Sequence, residues 1–127
     1  VVFLIGPAEK DLLAALTEVA ARKRTYVHQV DDLAKVADLI QGSRCFVGND
    51  SGLSHLAGFL GIPSVAVFGP SSTHRWSPLG SAIAVLRGVS DCVPCFETEA
   101  GNCERPRCLD GVTVAMVMEA IGKLGVL

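Results

Sequence analysis

The chain has 127 residues, half of them hydrophobic and only 6% aromatic, with a formal net charge of −2. That is about one domain, with enough Val, Leu, Ile and Ala to bury a sizeable core. The charge balance, without a basic tail or stripe, argues against nucleic acid as a partner, and no apolar run reaches the roughly 18 residues of a membrane span.

Residues 1–5 are a continuous apolar run, the pattern of a buried strand. Gly6-Pro7 breaks it. Leu12, Leu13, Leu16, Val19 and Ala20 then recur at helical spacing and predict a helix over residues 8–23. Residues 26–30 read as a short strand. Asp31-Asp32 can cap a helix whose inner face is Leu33, Val36, Ala37 and Ile40, with Gly42 ending it. Residues 44–47 form the next strand, and Cys45 within it reads as a small apolar core residue. A glycine-containing stretch, Gly48-Asn49-Asp50-Ser51-Gly52, leads into a helix over residues 52–60. The turn Gly61-Ile62-Pro63 precedes the most β-like stretch, residues 64–68. A polar loop follows from Gly69 through Pro78, then a strand at 83–86, a cysteine-containing loop segment over about 88–111, and a closing helix marked by Val114, Val117, Met118, Ile121 and Leu124.

Alternating strands and helices predict right-handed βαβ units and a parallel sheet, an α/β fold. In such sheets ligands bind at the carboxyl ends of the strands. Three predicted loops lie there: Gly6-Pro7, 48–52 and 69–78.

The stretch 48–55 places an acid, a hydroxyl, glycines and a histidine together. The serine elbow of hydrolases requires G-x-S-x-G, and here the first glycine stands three residues before Ser51, so the spacing fails. Asp50, Ser51 and His55 are too close in sequence to place a base between an acid and a nucleophile. Neither the P-loop nor the dinucleotide fingerprint is present. Two readings of the residues stay open. One is an anion cradle, in which Gly52 and the first amides of a helix meet a phosphate. The other is a plain helix start, with Asp50 or Ser51 as N-cap.

The string Asp50-Ser51-Gly52-Leu53-Ser54-His55-Leu56-Ala57, followed by residues 60–70 ending Phe68-Gly69-Pro70, resembles the C-terminal domain of glycosyltransferase family 9, the heptosyltransferases of lipopolysaccharide core synthesis. The pattern shared is D-[ST]-G-x-x-H-x-A and then an apolar strand ending F-G-P. Trp76, Pro78 and Gly80 fit the loop that follows. The resemblance is close over about residues 43–127 and looser before.

What the resemblance implies is a three-layer, Rossmann-like domain, the C-terminal half of a GT-B fold, with residues 1–127 as a single nucleotide-sugar-binding domain cut from a longer chain. Its donor is ADP-heptose, contacted by Asp50, Ser51, Gly52 and Leu53, with His55 in support. Gly69, Pro70 and Arg75 lie on the following loop; read from the residues alone, Arg75 and His74 there can reach a phosphate or stand solvated. The lipid-linked saccharide acceptor and the proposed base belong to an N-terminal domain outside this chain, so this piece alone is expected to be inactive. Transfer is expected to invert the anomeric carbon without a required cofactor. The parent enzyme is expected in the cytoplasm, peripheral at the inner membrane.

Four cysteines, Cys92, Cys95, Cys103 and Cys108, read C-x2-C-x7-C-x4-C. Four thiolates can hold a structural zinc tetrahedrally, although the middle gap is shorter than the roughly 12–20 residues common between zinc pairs. Disulfides, or plain reduced structural thiols in a cytoplasmic protein, are the other readings. The rival function from a different class is a non-catalytic α/β module that binds a nucleotide or a protein, with the cysteine loop as a zinc-stabilised knob.

Overall fold

The computed structural model describes residues 1–21, 24–88, 95 and 107–126. The chain divides into two compact units, Val1–Leu39 and Ile40–Leu127.

In the first unit β1 (Val2–Ile5) pairs in parallel with β2 (Tyr26–Gln29), Val2 opposite Tyr26 and Ile5 opposite Gln29. The connection is a 3-10 helix, Pro7–Leu12, running into α1 (Leu13–Ala21). The single helix expected over residues 8–23 is therefore broken. Glu9 leaves helical geometry at φ −102°, ψ 15°. Its N–H donates to the Gly6 carbonyl at 3.3 Å, while its carboxylate accepts from the Gly6 N–H at 3.0 Å. That reciprocal pair closes a tight first turn, which suits three residues per turn better than 3.6. The expectation of a buried first strand is also corrected. Of β1 only Ile5 is buried, Val2 is exposed, and α1 buries none of its residues. A sheet of only two strands is too small to bury a strand along its length. After β2, Asp32 Oδ1 accepts from the Ala34 N–H at 2.9 Å and caps α2 (Leu33–Gln41), whose Val36 and Ile40 are buried.

The second unit holds a three-stranded parallel sheet in the order β3-β4-β5. These are β3 (Phe46–Asn49), β4 (Ser64–Phe68) and β5 (Ile83–Arg87). β4 is central, and Ser64, Val65, Ala66 and Phe68 are fully buried. Such a strand reads as a continuous apolar run because helices cover both faces of a parallel sheet. β3 lies two residues later than expected. Its ladder with β4 aligns Phe46 with Ser64 and Asn49 with Val67, so Gly48 and Asn49 belong to the strand and not to a loop. Cys45 consequently precedes the strand, half-buried, and burial pushes its thiol up from the ordinary value.

α3 (Gly52–Phe59) follows β3 and packs on β3 and β4. It ends at Gly61, whose φ of +74° requires a glycine. After β4 comes a one-turn helix, α4 (Thr73–Trp76), and after β5 come α5 (Arg107–Asp110) and α6 (Val114–Lys123). Thr113 caps α6 by accepting from the Met116 N–H at 3.2 Å. The Gly88 N–H donates to the Cys108 carbonyl at 2.9 Å, and a Cβ on Gly88 would stand 2.6 Å from that oxygen. All three strands point the same way, so the turns after β3, β4 and β5 gather at one edge of this sheet.

Candidate functional site

The turn after β3 is fixed from both sides. The Asp50 N–H donates to the Val67 carbonyl of β4 at 3.0 Å, extending the ladder by one residue. Ser54, fully buried on α3, donates its hydroxyl to the Asn49 carbonyl at 2.5 Å. The first turn of α3 is thereby tied to the last residue of β3. Gly48 makes room for this packing, since a Cβ there would lie 2.5 Å from the Phe46 ring and 3.0 Å from the Ser54 hydroxyl.

Ser51 is the N-cap residue of α3, extended at φ −157°, ψ 163°, yet its side chain makes no capping bond. Its carbonyl accepts from the N–H groups of Ser54 at 3.1 Å and His55 at 3.5 Å. The N–H groups of Gly52 and Leu53 have no protein partner among the described residues. These two amides, at the positive end of the α3 dipole, are what a helix offers an anion. Ser51, Gly52 and His55 are exposed, and Leu53 is half-buried.

Asp50 does not cap α3. Its carboxylate accepts a hydrogen bond from the hydroxyl of Ser71, which is itself buried and lies in the turn after β4. Nothing in the residue pattern marked Ser71. The signal that can find it is register: Asp50 follows the last rung of β3, and Ser71 lies just past the end of its partner strand β4. Gly69 is buried against Leu109 of α5, 3.1 Å from where its Cβ would stand. The Gly69 carbonyl accepts from Arg87 Nε at 3.1 Å, so β5 also braces this turn.

The structure thus brings the turn 50–53 and the Gly69-Pro70-Ser71 turn together at the edge of one sheet. His74 and Arg75 fall on α4 and are exposed. The Ser77 hydroxyl donates back to the Thr73 carbonyl at the end of that helix. Of the four clustered cysteines, Cys95 and Cys108 carry free thiols, the latter buried, while Cys92 and Cys103 lie outside the described residues. Among the described residues no group of three or more His, Cys, Asp or Glu side chains is placed to hold a metal, and no helix is long and apolar enough to cross a membrane. A groove of about 550 Å³, lined by Leu13, Thr17, Ala21, Thr25, Tyr26 and Gln29 among others, lies in the first unit, and none of the residues above lines it.

A parallel α/β unit with its turns gathered beyond the strand carboxyl ends has the architecture in which such folds place ligands. Residues 1–103 match glycosyltransferase family 9 (heptosyltransferase), and the chain belongs to that family. It is 38% identical over 84 residues to lipopolysaccharide heptosyltransferase 2 of Escherichia coli (strain K12), an alignment covering 65% of this chain and 24% of that protein. The solved structure of E. coli ADP-heptose lps heptosyltransferase II superposes with a TM-score of 0.72 at 29% identity, over 97% of this chain and 35% of the other. The glycosyl transferase family 9 structure from Veillonella parvula DSM 2008 shares the fold, with a TM-score of 0.78 at 23% identity over 97% of this chain and 35% of that one. The chain spans between 17% and 40% of the length of the curated relatives it matches.

Proposed function

We propose that this chain is the nucleotide-sugar-binding part of a glycosyltransferase that moves heptose from ADP-heptose to a lipopolysaccharide core acceptor. The observation that carries the reading is the pair of uncommitted amides at Gly52 and Leu53 beside the uncapped hydroxyl of Ser51. Family membership and the heptosyltransferase names of its relatives support the choice of sugar.

In the transfer, an acceptor hydroxyl oxygen forms a bond to the anomeric carbon while the bond from that carbon to the diphosphate oxygen breaks. The departing diphosphate gains negative charge. The amides of Gly52 and Leu53, with the α3 dipole behind them, are oriented before the reaction and stabilise that charge without reorganising. Ser51 donates its hydroxyl to the same group, and His55, one turn along α3, borders it. Gly69, Pro70 and Arg75 form the other wall, with the Arg75 guanidinium free to approach a phosphate. The acceptor, and the base that takes the acceptor proton, belong to another part of the enzyme, so this piece alone binds donor without turning it over. The enzyme works at the cytoplasmic face of the inner membrane, where its donor and lipid acceptor meet.

Calorimetric titration of the full-length enzyme with ADP and with ADP-heptose tests this. Saturable binding of both is expected, with Gly52→Pro, which removes one of the amides, weakening both while the melting temperature is followed as a control. Absence of binding to either ligand by folded wild-type enzyme would overturn the reading.

A further inference from the structure

An Asp one residue before an N-cap has an obvious local partner. Its carboxylate can fold forward onto the N–H two or three residues on, the Asx turn, and at Asp50 those groups are the amides of Gly52 and Leu53. A carboxylate seated there competes directly with any anionic ligand. The chain nevertheless leaves both amides unpartnered among the described residues, and the Asp50 carboxylate is turned instead to Ser71.

Ser71 is well placed to enforce this. It is only 6% exposed, so its hydroxyl has little water to satisfy it and a strong incentive to keep a charged acceptor. Its backbone position is set by neighbours with no part in anion binding: Gly69 packs on Leu109, and the Gly69 carbonyl receives Arg87 Nε. Asp50 is equally constrained at its backbone by the bond from its N–H to Val67. The side-chain rotamer is then the one remaining freedom, and the Ser71 hydrogen bond removes it.

We infer that Ser71 is a positioning residue that holds the Asp50 carboxylate off the Gly52 and Leu53 amides and so keeps them open for a diphosphate. The inference rests on the donor-binding reading above. It concerns Ser71, which need not touch the ligand at all. It also resolves the oddity of an acid beside a diphosphate site: the acid is tethered so that its preferred local partners stay free.

The test uses ADP, which has the diphosphate but no sugar, and four forms of the full-length enzyme: wild type, Ser71→Ala, Asp50→Ala and the double variant. Releasing a charge-assisted hydrogen bond lets the carboxylate reach the amides, and Ser71→Ala is expected to weaken ADP binding about tenfold. Asp50→Ala removes the competitor, so in that background Ser71→Ala is expected to change ADP affinity by less than about twofold, the signature of coupled residues. A purely structural role for Ser71 predicts the same loss in both backgrounds, and that result overturns the inference, as does wild-type affinity in Ser71→Ala. Wild-type enzyme that binds neither ADP nor inorganic pyrophosphate overturns the donor-binding reading and this inference with it. ADP binding indifferent to both substitutions overturns the inference alone.

Discussion

Gly58 on α3 and Leu79, in the turn before β5, approach so closely that a Cβ on Gly58 would stand 2.5 Å from the Leu79 carbonyl oxygen. The contact is with backbone, which has no rotamer to yield. Gly80 faces the same helix, with its Cβ position 3.0 Å from the Gly58 carbonyl. Gly58→Ala is therefore expected to destabilise the fold by about 1–3 kcal/mol, the usual range for overpacking a tight site. The opposite is expected from helix propensity alone, on which alanine improves on glycine by about 1 kcal/mol. Urea unfolding of the two proteins decides between packing and propensity.

Asp50→Asn separates charge from shape. The amide oxygen still accepts from Ser71, so the turn is expected to keep its geometry and the stability to fall by about 1 kcal/mol, the difference between a charged and a neutral acceptor. Donor use is expected to fall by about tenfold or more, because on the donor-binding reading the carboxylate oxygen not bonded to Ser71 faces the heptose of the donor, which ADP lacks, and bonds to an ionised acceptor are roughly twice as strong as neutral ones. Steady-state kinetics of the full-length enzyme against ADP-heptose, alongside thermal melts, provide the check. Unchanged turnover would show that the carboxylate charge is not needed.

Cys45 makes a pH prediction. Burial raises its thiol above the ordinary value, so the folded chain disfavours the thiolate. The associated stability is complete at neutral pH and is lost as pH rises from the ordinary thiol range through the raised folded value. Native protein at mildly alkaline pH is expected to react with iodoacetamide at Cys45 more slowly than urea-unfolded protein does. In Cys45→Ala that part of the alkaline loss of stability disappears.

Much of the second unit was legible because its signals are local. Residues 64–68 form a strand bounded by Pro63 and Gly69, and an unbroken apolar run between two breakers admits little else. α3 starts at Gly52, as the turn residues before it indicated. The first unit was harder. Periodicity sees one helix in residues 8–23, but the Glu9 carboxylate reaching back to the Gly6 N–H is a side-chain event that periodicity does not encode. Gly48 and Asn49 have the composition of a turn and are strand residues only because β4 offers them partners.

At the site, Asp50 through Leu53 stood out by residue type, spacing and family pattern. Ser71 did not, because a serine after Gly-Pro is ordinary turn chemistry until the strand register carries it to an acid 21 positions away. Ser54 was passed over for a related reason. A serine inside an amphipathic helix reads as solvent-facing, whereas here it is buried and bonded to the end of β3.

The bond from the Gly88 N–H to the Cys108 carbonyl joins the two ends of the cysteine-bearing stretch where it leaves and re-enters the described fold. The clip is made at a residue with no space for a Cβ, so the end of β5 and α5 are locked backbone to backbone, and Leu109, next along α5, is held where it packs on Gly69. A peg set just past the sheet's third strand thus steadies the turn that follows its second.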